Sequence, residues 1–471
     1  MSARRSDFAW CAAFALALGL LSPRLDRIER TDPDRYYHYA LSRAAAAGEA
    51  HVLPQVIGLG WDQHFDEKEW LFHVLTGAAW RAAKERGVDG LCLALGWLDL
   101  VLVYFLCRRG QGPLLAGAFV LVTCLASSHF LFRVLMVRPH LLGLACGLAL
   151  VHALLWRRAW AVVLAATLFA LSYHALFVPL ALAGLFALNQ HRSRQGWKLL
   201  GAAGLGLALG TVLSPAFPGN LWSTWVGWKI AWTTASDPSA GVENAPLPLL
   251  EFLVAFGPCV AGFLAAATQW RRADPDRQRR FFLLAAGSFW LLALRIPRAA
   301  EYAVPFTAVA LSFSAVALRP WLALAGAMLL GSLPGQLRLT TLLPIHTYNE
   351  GIARSVLALP AAGQHTVLNC SFADGAYLLY LRPNLRFVDL LDPLLLKTKN
   401  PELAAAREAV WRGEGDPWDL ATRRFPADYV VCGYPAARAR IEADPRFRRV
   451  HPAPGLAVPR SSGPPVYEVL R

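Results

Sequence analysis

Charged residues are scarce: Asp, Glu, Lys and Arg supply 17% of the 471 residues, against about 25% in soluble globular chains. That shortage excludes an ordinary cytosolic enzyme. The 56% share of hydrophobic residues and a mean hydropathy of +0.38 exclude a disordered chain. There is no Cys-x-x-Cys pair, no His/Cys spacing of the structural-zinc kind, no internal repeat and no low-complexity tract. A small-residue cleavage site is also missing after the first apolar stretch, where Leu21-Ser22-Pro23-Arg24 stands, so residues 1–23 read as an uncleaved first helix. Acids are few inside the apolar stretches, chiefly Asp99 and Glu251. A transporter would instead place ionisable groups on broken helices near the bilayer midplane.

What the chain does have is apolar runs of roughly the length that crosses a bilayer. Eleven candidate spans fall near 8–23, 88–107, 113–131, 139–156, 159–173, 175–190, 199–214, 247–269, 281–295, 302–318 and 320–337. With the N-terminus on the cytoplasmic side, six basic clusters land inside, as the positive-inside rule requires. They are Arg4/Arg5, Arg108/Arg109, Arg157/Arg158, Arg192/Arg194/Lys198, Arg271/Arg272/Arg277/Arg279/Arg280 and Arg319. An odd number of spans then puts the C-terminal segment outside. The net charge of +14 is thereby largely a topology signal, and nucleic acid ranks last among partners.

The expected fold class is mainly α: a polytopic transmembrane bundle over 1–339 with a long first outer loop at 24–87, followed by a small extracytoplasmic α/β domain over 340–471. In the loop, Tyr36 to Gly48 and Glu67 to Arg86 have amphipathic spacing and read as helices along the membrane surface. In the tail, 366–369, 385–388, 428–432 and 466–470 read as strands, and 400–412 and 435–443 as helices. Asp374-Gly375 and Asp389 to Pro393 read as turns and strand ends without catalytic role. Of eight cysteines, only Cys370 and Cys432 lie in the tail, where they could pair if it is extracytoplasmic.

Three groups of residues could carry chemistry. Just outside the first span, Asp32, Asp34, Tyr36, Tyr37, His38 and Tyr39 could bind a cation or take a proton from a hydroxyl; equally, Asp34 could be a helix N-cap. Further along the loop, Asp62, His64, Asp66 and His73 could complete a metal or acceptor site. Glu67 and Glu69 read rather as first-turn acids complementing a helix dipole. His73 follows Asp66 by seven residues, two turns along one face if a helix has begun there. The third group is cationic: Arg133, Arg138, Arg295 and Arg298 sit on the outer face against the inside bias, with His129, His140, His174 and Glu301 nearby. A planar guanidinium there suits a phosphate at bilayer level. Trp222, Trp225, Trp228, Lys229 and Trp232 read as an interfacial anchor, or as a groove for a sugar or a lipid chain.

Together with those residues, the layout resembles the GT-C superfamily of membrane glycosyltransferases, and distantly the oligosaccharyltransferase catalytic subunits within it. Their first outer loop carries an Asp-Pro, two aromatics, then Asn or His; Asp34-Arg35-Tyr36-Tyr37-His38 is similar to that run. Arg35 departs from the pattern, although Asp32-Pro33 lies just upstream. Ser127-Ser128-His129 stands where a second acidic pair would follow the third span, and the tail lacks the Trp-Trp-Asp-Tyr-Gly signature. The segment Asn369 to Pro393 looks like the tails of uncharacterised bacterial members. The resemblance implies a bacterial inner-membrane enzyme that moves a sugar from a polyprenyl-phosphate donor, amid membrane lipids, to a glycan, lipid or protein acceptor outside the cytoplasm. It does not imply transfer of a whole oligosaccharide to Asn. It carries Asp34, helped by Asp32, as the catalytic or metal-binding acid, with Mg or Mn as the ion if one is held. Arg138 and Arg298, with Arg133, are then expected at the lipid phosphate. The alternative is a non-catalytic lipid or polysaccharide transporter or an assembly subunit.

Overall fold

The structure is a computed structural model that describes residues 3–21, 32–49, 52–190, 193–233, 246–269, 277–314, 323–324, 326–333, 343–452 and 463–471, with backbone only for 343–348. Arg192, Arg271, Arg272 and Arg319, residues 22–31 of the first span's end and outer loop, and much of the expected last span lie outside the described residues.

Every expected apolar stretch is helical over most of its described length. The helices are α1 (Ala3–Leu21), α2 (Asp34–Ala47), α3 (Trp70–Cys107), α4 (Pro113–Ala126), α5 (Ser128–Val134), α6 (His140–Leu155), α7 (Ala159–Ser172), α8 (Phe177–Asn189), α9 (Arg194–Leu213), α10 (Gly219–Thr233), α11 (Leu249–Ala267), α12 (Arg277–Ala293) and α13 (Ala300–Ser314). Among the described residues, three helices are long and apolar enough to cross a membrane alone: α3, α9 and α11. The pair α4 and α5 makes a fourth if its 98° bend at Ser127 is one broken span, and α6, α7 and α8 are apolar but shorter. The chain is accordingly read as a membrane protein.

One element of the bundle differs from the sequence reading. The surface helix expected from Glu67 begins at Trp70 and runs into the second span as one 38-residue element. A break at Ala83 and Lys84 divides it, with Lys84 at φ 51°. The pair α7 and α9 approaches closely at Gly206 and Gly210. A Cβ on either would lie 2.4 or 2.5 Å from the carbonyl oxygen of Val163 or Thr167, so this small-x-x-x-small pair sets the distance between two membrane helices.

Beyond the bundle, the tail begins with α14 (Leu343–Leu357) and folds as β1 (Thr366–Asn369), α15 (Phe372–Leu381), β2 (Arg386–Phe387), α16 (Pro393–Lys399), α17 (Pro401–Trp411), β3 (Tyr429–Val431), α18 (Pro435–Ala443), β4 (Phe447–His451) and β5 (Val466–Val469). The sheet order is β2-β1-β3-β5-β4; β1 runs parallel to β2 and β3, and β5 antiparallel to β3 and β4. Cys370 and Cys432, just past β1 and β3, form a disulfide. Asp374-Gly375 lies inside α15 rather than in a turn, because Ser371 caps that helix through the Ala373 N–H.

Two hydrophobic cores result. One fills the helix bundle around Phe14, Tyr104, Phe169, Phe281 and Phe306. The other joins the tail to the outer loop, packing Tyr37, Leu41, Val56, Trp61 and Phe65 with Leu368, Tyr377, Phe387 and Leu396. The loop also covers the sheet edge, since Phe387 N–H donates to Gln55 O at 2.7 Å and Ile57 N–H to Phe387 O at 3.1 Å. That pairing blunts an edge strand that would otherwise be open. Gly58 makes it sterically feasible: a Cβ there would sit 2.3 Å from the Val388 carbonyl oxygen.

Candidate functional site

The first cluster is built where the outer loop meets the connection between α5 and α6. Asp34 is the first residue of α2, so it is not the cap; the N-cap position is Pro33, and Asp32 Oδ1 accepts the Asp34 N–H at 3.2 Å. Arg138, placed just before Pro139 at the head of α6, spans both carboxylates. Its Nη2 donates to Asp32 Oδ1 at 2.7 Å, its Nε to Asp32 Oδ2 at 3.2 Å, and its Nη1 lies 2.6 Å from Asp34 Oδ2. Asp32 and Arg138 are buried, whereas the Asp34 side chain is 25% exposed. The bidentate fork locks Asp32 as a support and leaves Asp34 as the accessible acid.

One turn further along α2, His38 Nδ1 lies 2.9 Å from His73 Nε2, and His73 Nδ1 lies 3.2 Å from Glu67 Oε2. Beside them, Glu69 Oε1 is 2.9 Å from His174 Nδ1. His38, Glu67, Glu69 and His73 are all buried. Burial alone would raise the Glu69 carboxyl, but the His174 hydrogen bond and the neighbouring Lys68 outweigh it and hold it below the usual carboxylate range. Burial and Lys68 push His174 down to about 4, so it is neutral at pH 7. Among the described residues, His38, Glu69 and His73 form the group whose donor atoms all lie within 4.8 Å of one another and could hold a metal ion.

Both clusters border one cavity of about 280 Å³. Asp34, Tyr37, His38, Lys68, Glu69 and Arg138 supply polar lining, joined by Arg133 from the end of α5, Arg298 from the turn before α13 and Glu301 from the first turn of α13. Phe177, Val178, Phe289, Leu292 and Trp228 add apolar lining. The tail contributes Leu391 and Asp392; Leu391 has φ 73°, and Asp392 caps α16 through the Leu394 N–H at 2.8 Å. A cavity lined by charged groups together with aromatic and aliphatic side chains suits an amphiphile with an anionic head.

Of the residues singled out in the sequence, Asp34, Tyr37, His38, Arg133, Arg138, His174, Arg298 and Glu301 meet at this cavity. Asp32 and His73 stand directly behind it through Arg138 and His38. Asp62, His64 and Asp66 do not join them. Asp62 pairs with Arg386 at 3.5 Å and Asp66 with Lys399 at 2.8 Å, so both fasten the loop to the tail, and His64 is 57% exposed. The expected register between Asp66 and His73 fails because the helix starts at Trp70, between them.

The cations are engaged by protein partners. Arg138 lines the cavity while its fork is held by the Asp32 and Asp34 carboxylates. Arg133 is held by Glu301 at 2.5 Å. Arg295 donates to the Trp232 carbonyl and stacks near its ring, and His129 packs on Phe256. Glu67 and Glu69, read from sequence as dipole acids, prove to be buried partners of histidines. The four-residue spacing of Glu69 and His73 was their visible signal. Trp228 faces the cavity, which favours the groove reading of the Trp-rich stretch over a plain anchor at that position.

No protein-family model and no curated protein matches the chain. Solved structures do. The oligosaccharyltransferase of Archaeoglobus fulgidus in its apo form superposes with a TM-score of 0.59 at 12% identity, covering 90% of this chain and 69% of that one. The archaeal oligosaccharyltransferase AglB from the same organism, solved with an inhibitory peptide and a dolichol-phosphate, gives 0.56 at 11% identity over 92% of this chain and 71% of that one. The Archaeoglobus fulgidus enzyme in complex with Zn and sulfate gives 0.50 at 13% identity over 80% and 62%. The chain therefore has an oligosaccharyltransferase-like GT-C fold.

Proposed function

We propose that this chain is a membrane glycosyltransferase that moves a sugar from a polyprenyl-phosphate-linked donor to an acceptor outside the cytoplasm. The observation that carries this reading is the convergence of Asp34, Arg138 and Arg298 on a single cavity that also has aromatic and aliphatic lining. A lipid-linked donor also agrees with the dolichol-phosphate bound by the archaeal enzyme, and a peptide is a candidate acceptor on the same ground.

In the proposed reaction, Asp34 accepts the proton of the acceptor hydroxyl as general base while that oxygen attacks the sugar C1. The C1–O bond to phosphate breaks, and the lipid phosphate leaves with the bonding pair. Arg138 and Asp32 are positioning residues: their fork fixes the Asp34 carboxylate toward the cavity. Arg298, with Arg133, stabilises the charge that develops on the phosphate. Arg133 does so while tethered to Glu301, which preorganises it. A hard ion such as Mg or Mn at Asp34 fits this arrangement poorly. The Arg138 guanidinium already places positive charge 2.6 Å from that carboxylate and occupies its buried neighbour Asp32. No step here is routed through an ion at Asp34.

The topology belongs to the same reading: N-terminus cytoplasmic, eleven crossings in a bacterial inner membrane, tail outside. The Cys370–Cys432 disulfide supports an oxidising compartment for the tail. The division at 339/340 assigns the tail a role in closing the cavity, through Leu391 and Asp392.

Binding tests the donor assignment directly. Purified protein in detergent should bind undecaprenyl phosphate in preference to undecaprenol, and Arg298→Gln should weaken the phosphate about tenfold or more, the loss of one charge-assisted contact. Equal affinity for phosphate and alcohol would remove the basis for a phosphate site.

A further inference from the structure

The cluster behind Asp34 is not used by that reaction. It holds two imidazoles and two carboxylates, all buried, at the rim of the same cavity. We infer that His38, His73 and Glu69 bind one borderline divalent ion of the Zn(II) or Co(II) kind, with a fourth coordination position open to the cavity.

Four observations combine. The donor atoms of the three residues lie within 4.8 Å of one another. Two nitrogens and one carboxylate oxygen form the donor set, which suits zinc or cobalt and suits magnesium poorly. Each outer partner is already in place: Glu67 Oε2 lies 3.2 Å from His73 Nδ1, orienting Nε2 as a ligand, and His174 lies 2.9 Å from Glu69 Oε1. Carboxylate-to-histidine support of this kind accompanies most metal-bound imidazoles. Finally, His38 and Glu69 line the cavity whereas His73 stands behind it, so the open position points where a phosphate or hydroxyl oxygen would enter. His38 Nδ1 and His73 Nε2 are 2.9 Å apart, and ligands of one tetrahedral ion at bond lengths near 2.0 Å sit about 3.3 Å apart. A parting of a few tenths of an ångström therefore converts an imidazole pair into a chelate. Lys68 and Arg138 are the neighbouring cations that oppose the ion, and the paired charges of Glu67 and Glu69 offset them.

The inference deepens the glycosyltransferase reading, because the open position adjoins the place given to the donor phosphate, yet it can be measured without turnover. Protein purified without a histidine tag and stripped with a chelator is titrated with Co(II). One equivalent should bind with the visible absorption of a tetrahedral site, and inorganic phosphate should change that spectrum. His73→Ala should abolish the band. Glu67→Gln, which removes only the positioning group, should weaken binding about 10-fold to 100-fold with an unchanged melting temperature. Asp34→Asn should bind cobalt as the wild type does. Should His73→Ala fail to fold, His38→Asn and Glu67→Gln carry the test. Absence of a one-to-one complex in the wild type, a band that survives His38→Asn, or wild-type cobalt affinity in Glu67→Gln overturns the site. Cobalt binding without sugar transfer would count against the proposed reaction alone.

Discussion

At the scale of single residues, Arg138 carries the heaviest load. It pairs with a buried Asp32 and a partly exposed Asp34, and removing one partner of a buried pair strands the other charge. Arg138→Gln should destabilise the protein by about 3–5 kcal/mol, read as a lower melting temperature in detergent. Asp34→Asn should leave melting nearly unchanged. A second residue effect lies in the tail, where burial pushes the Asp374 carboxyl up to about 7, against the opposing Ser371 backbone hydrogen bond, with Asp389 adding to the rise. The native state then keeps a proton that the unfolded chain releases near 3.8. Stability from this group is full below that pH and is lost as pH rises toward 7. Asp374→Asn should thus raise the melting temperature relative to wild type at pH 8 and change it little at pH 4, with a ceiling of about 4 kcal/mol.

That Arg138 and Arg298 would gather at one cavity was legible because cations beside apolar spans, against the inside bias, have few bland explanations, and Asp34 was singled out by the Asp34-Arg35-Tyr36-Tyr37-His38 run. Glu67 and Glu69 were not, since acids ahead of a helix have an adequate local role. The pairing of Asp62 and Asp66 could not be read locally: their partners Arg386 and Lys399 are more than three hundred residues away, and no local pattern announces them.

At the scale of elements, most helices were readable from apolar length alone, but their joints were not. The break at Ala83 and Lys84 lies in a stretch of good helix formers, so no local composition announces it. The strand β4 was overlooked because Phe447-Arg-Arg-Val-His451 reads as polar. It is an edge strand, where exposed charge is usual. The contact between α7 and α9 depends on Gly206 and Gly210, whose spacing is visible in sequence once the pairing is known. Gly206→Leu should separate the two helices by more than one methyl radius, at a cost of about 1–3 kcal/mol or more. A fall in melting temperature, together with a cysteine crosslink between α7 and α9 that no longer forms, checks it.

For the whole molecule, the tail and the outer loop behave as one body. They share a core, an extended sheet edge at Gln55 to Ile57, and ion pairs from Asp62 and Asp66. The tail's own strands and helices were largely legible, whereas its docking on the loop was not, because that depends on a surface formed by two segments distant in sequence. Cys370 and Cys432 close a loop of 62 residues in sequence, and loss of a disulfide of this kind costs about 2–4 kcal/mol. Cys370→Ser should therefore loosen the tail toward proteolysis before the helix bundle unfolds. The tail's Leu391 and Asp392 border the cavity, so the same variant should also weaken whatever the cavity binds.

In the proposed reaction, Asp34 works on a lipid-phosphate sugar in that cavity. The most direct test reconstitutes wild-type protein and Asp34→Asn with a panel of radiolabelled polyprenyl-phosphate sugars and follows release of polyprenyl phosphate with transfer to acceptor. Wild type should turn over at least one donor, and Asp34→Asn should lose about 100-fold to 10,000-fold, the usual contribution of a general base, while still binding the lipid. Equal turnover by the two proteins would contradict the role of Asp34. No turnover of any donor by wild type, with lipid export in cells depending on the chain, would contradict the enzyme itself.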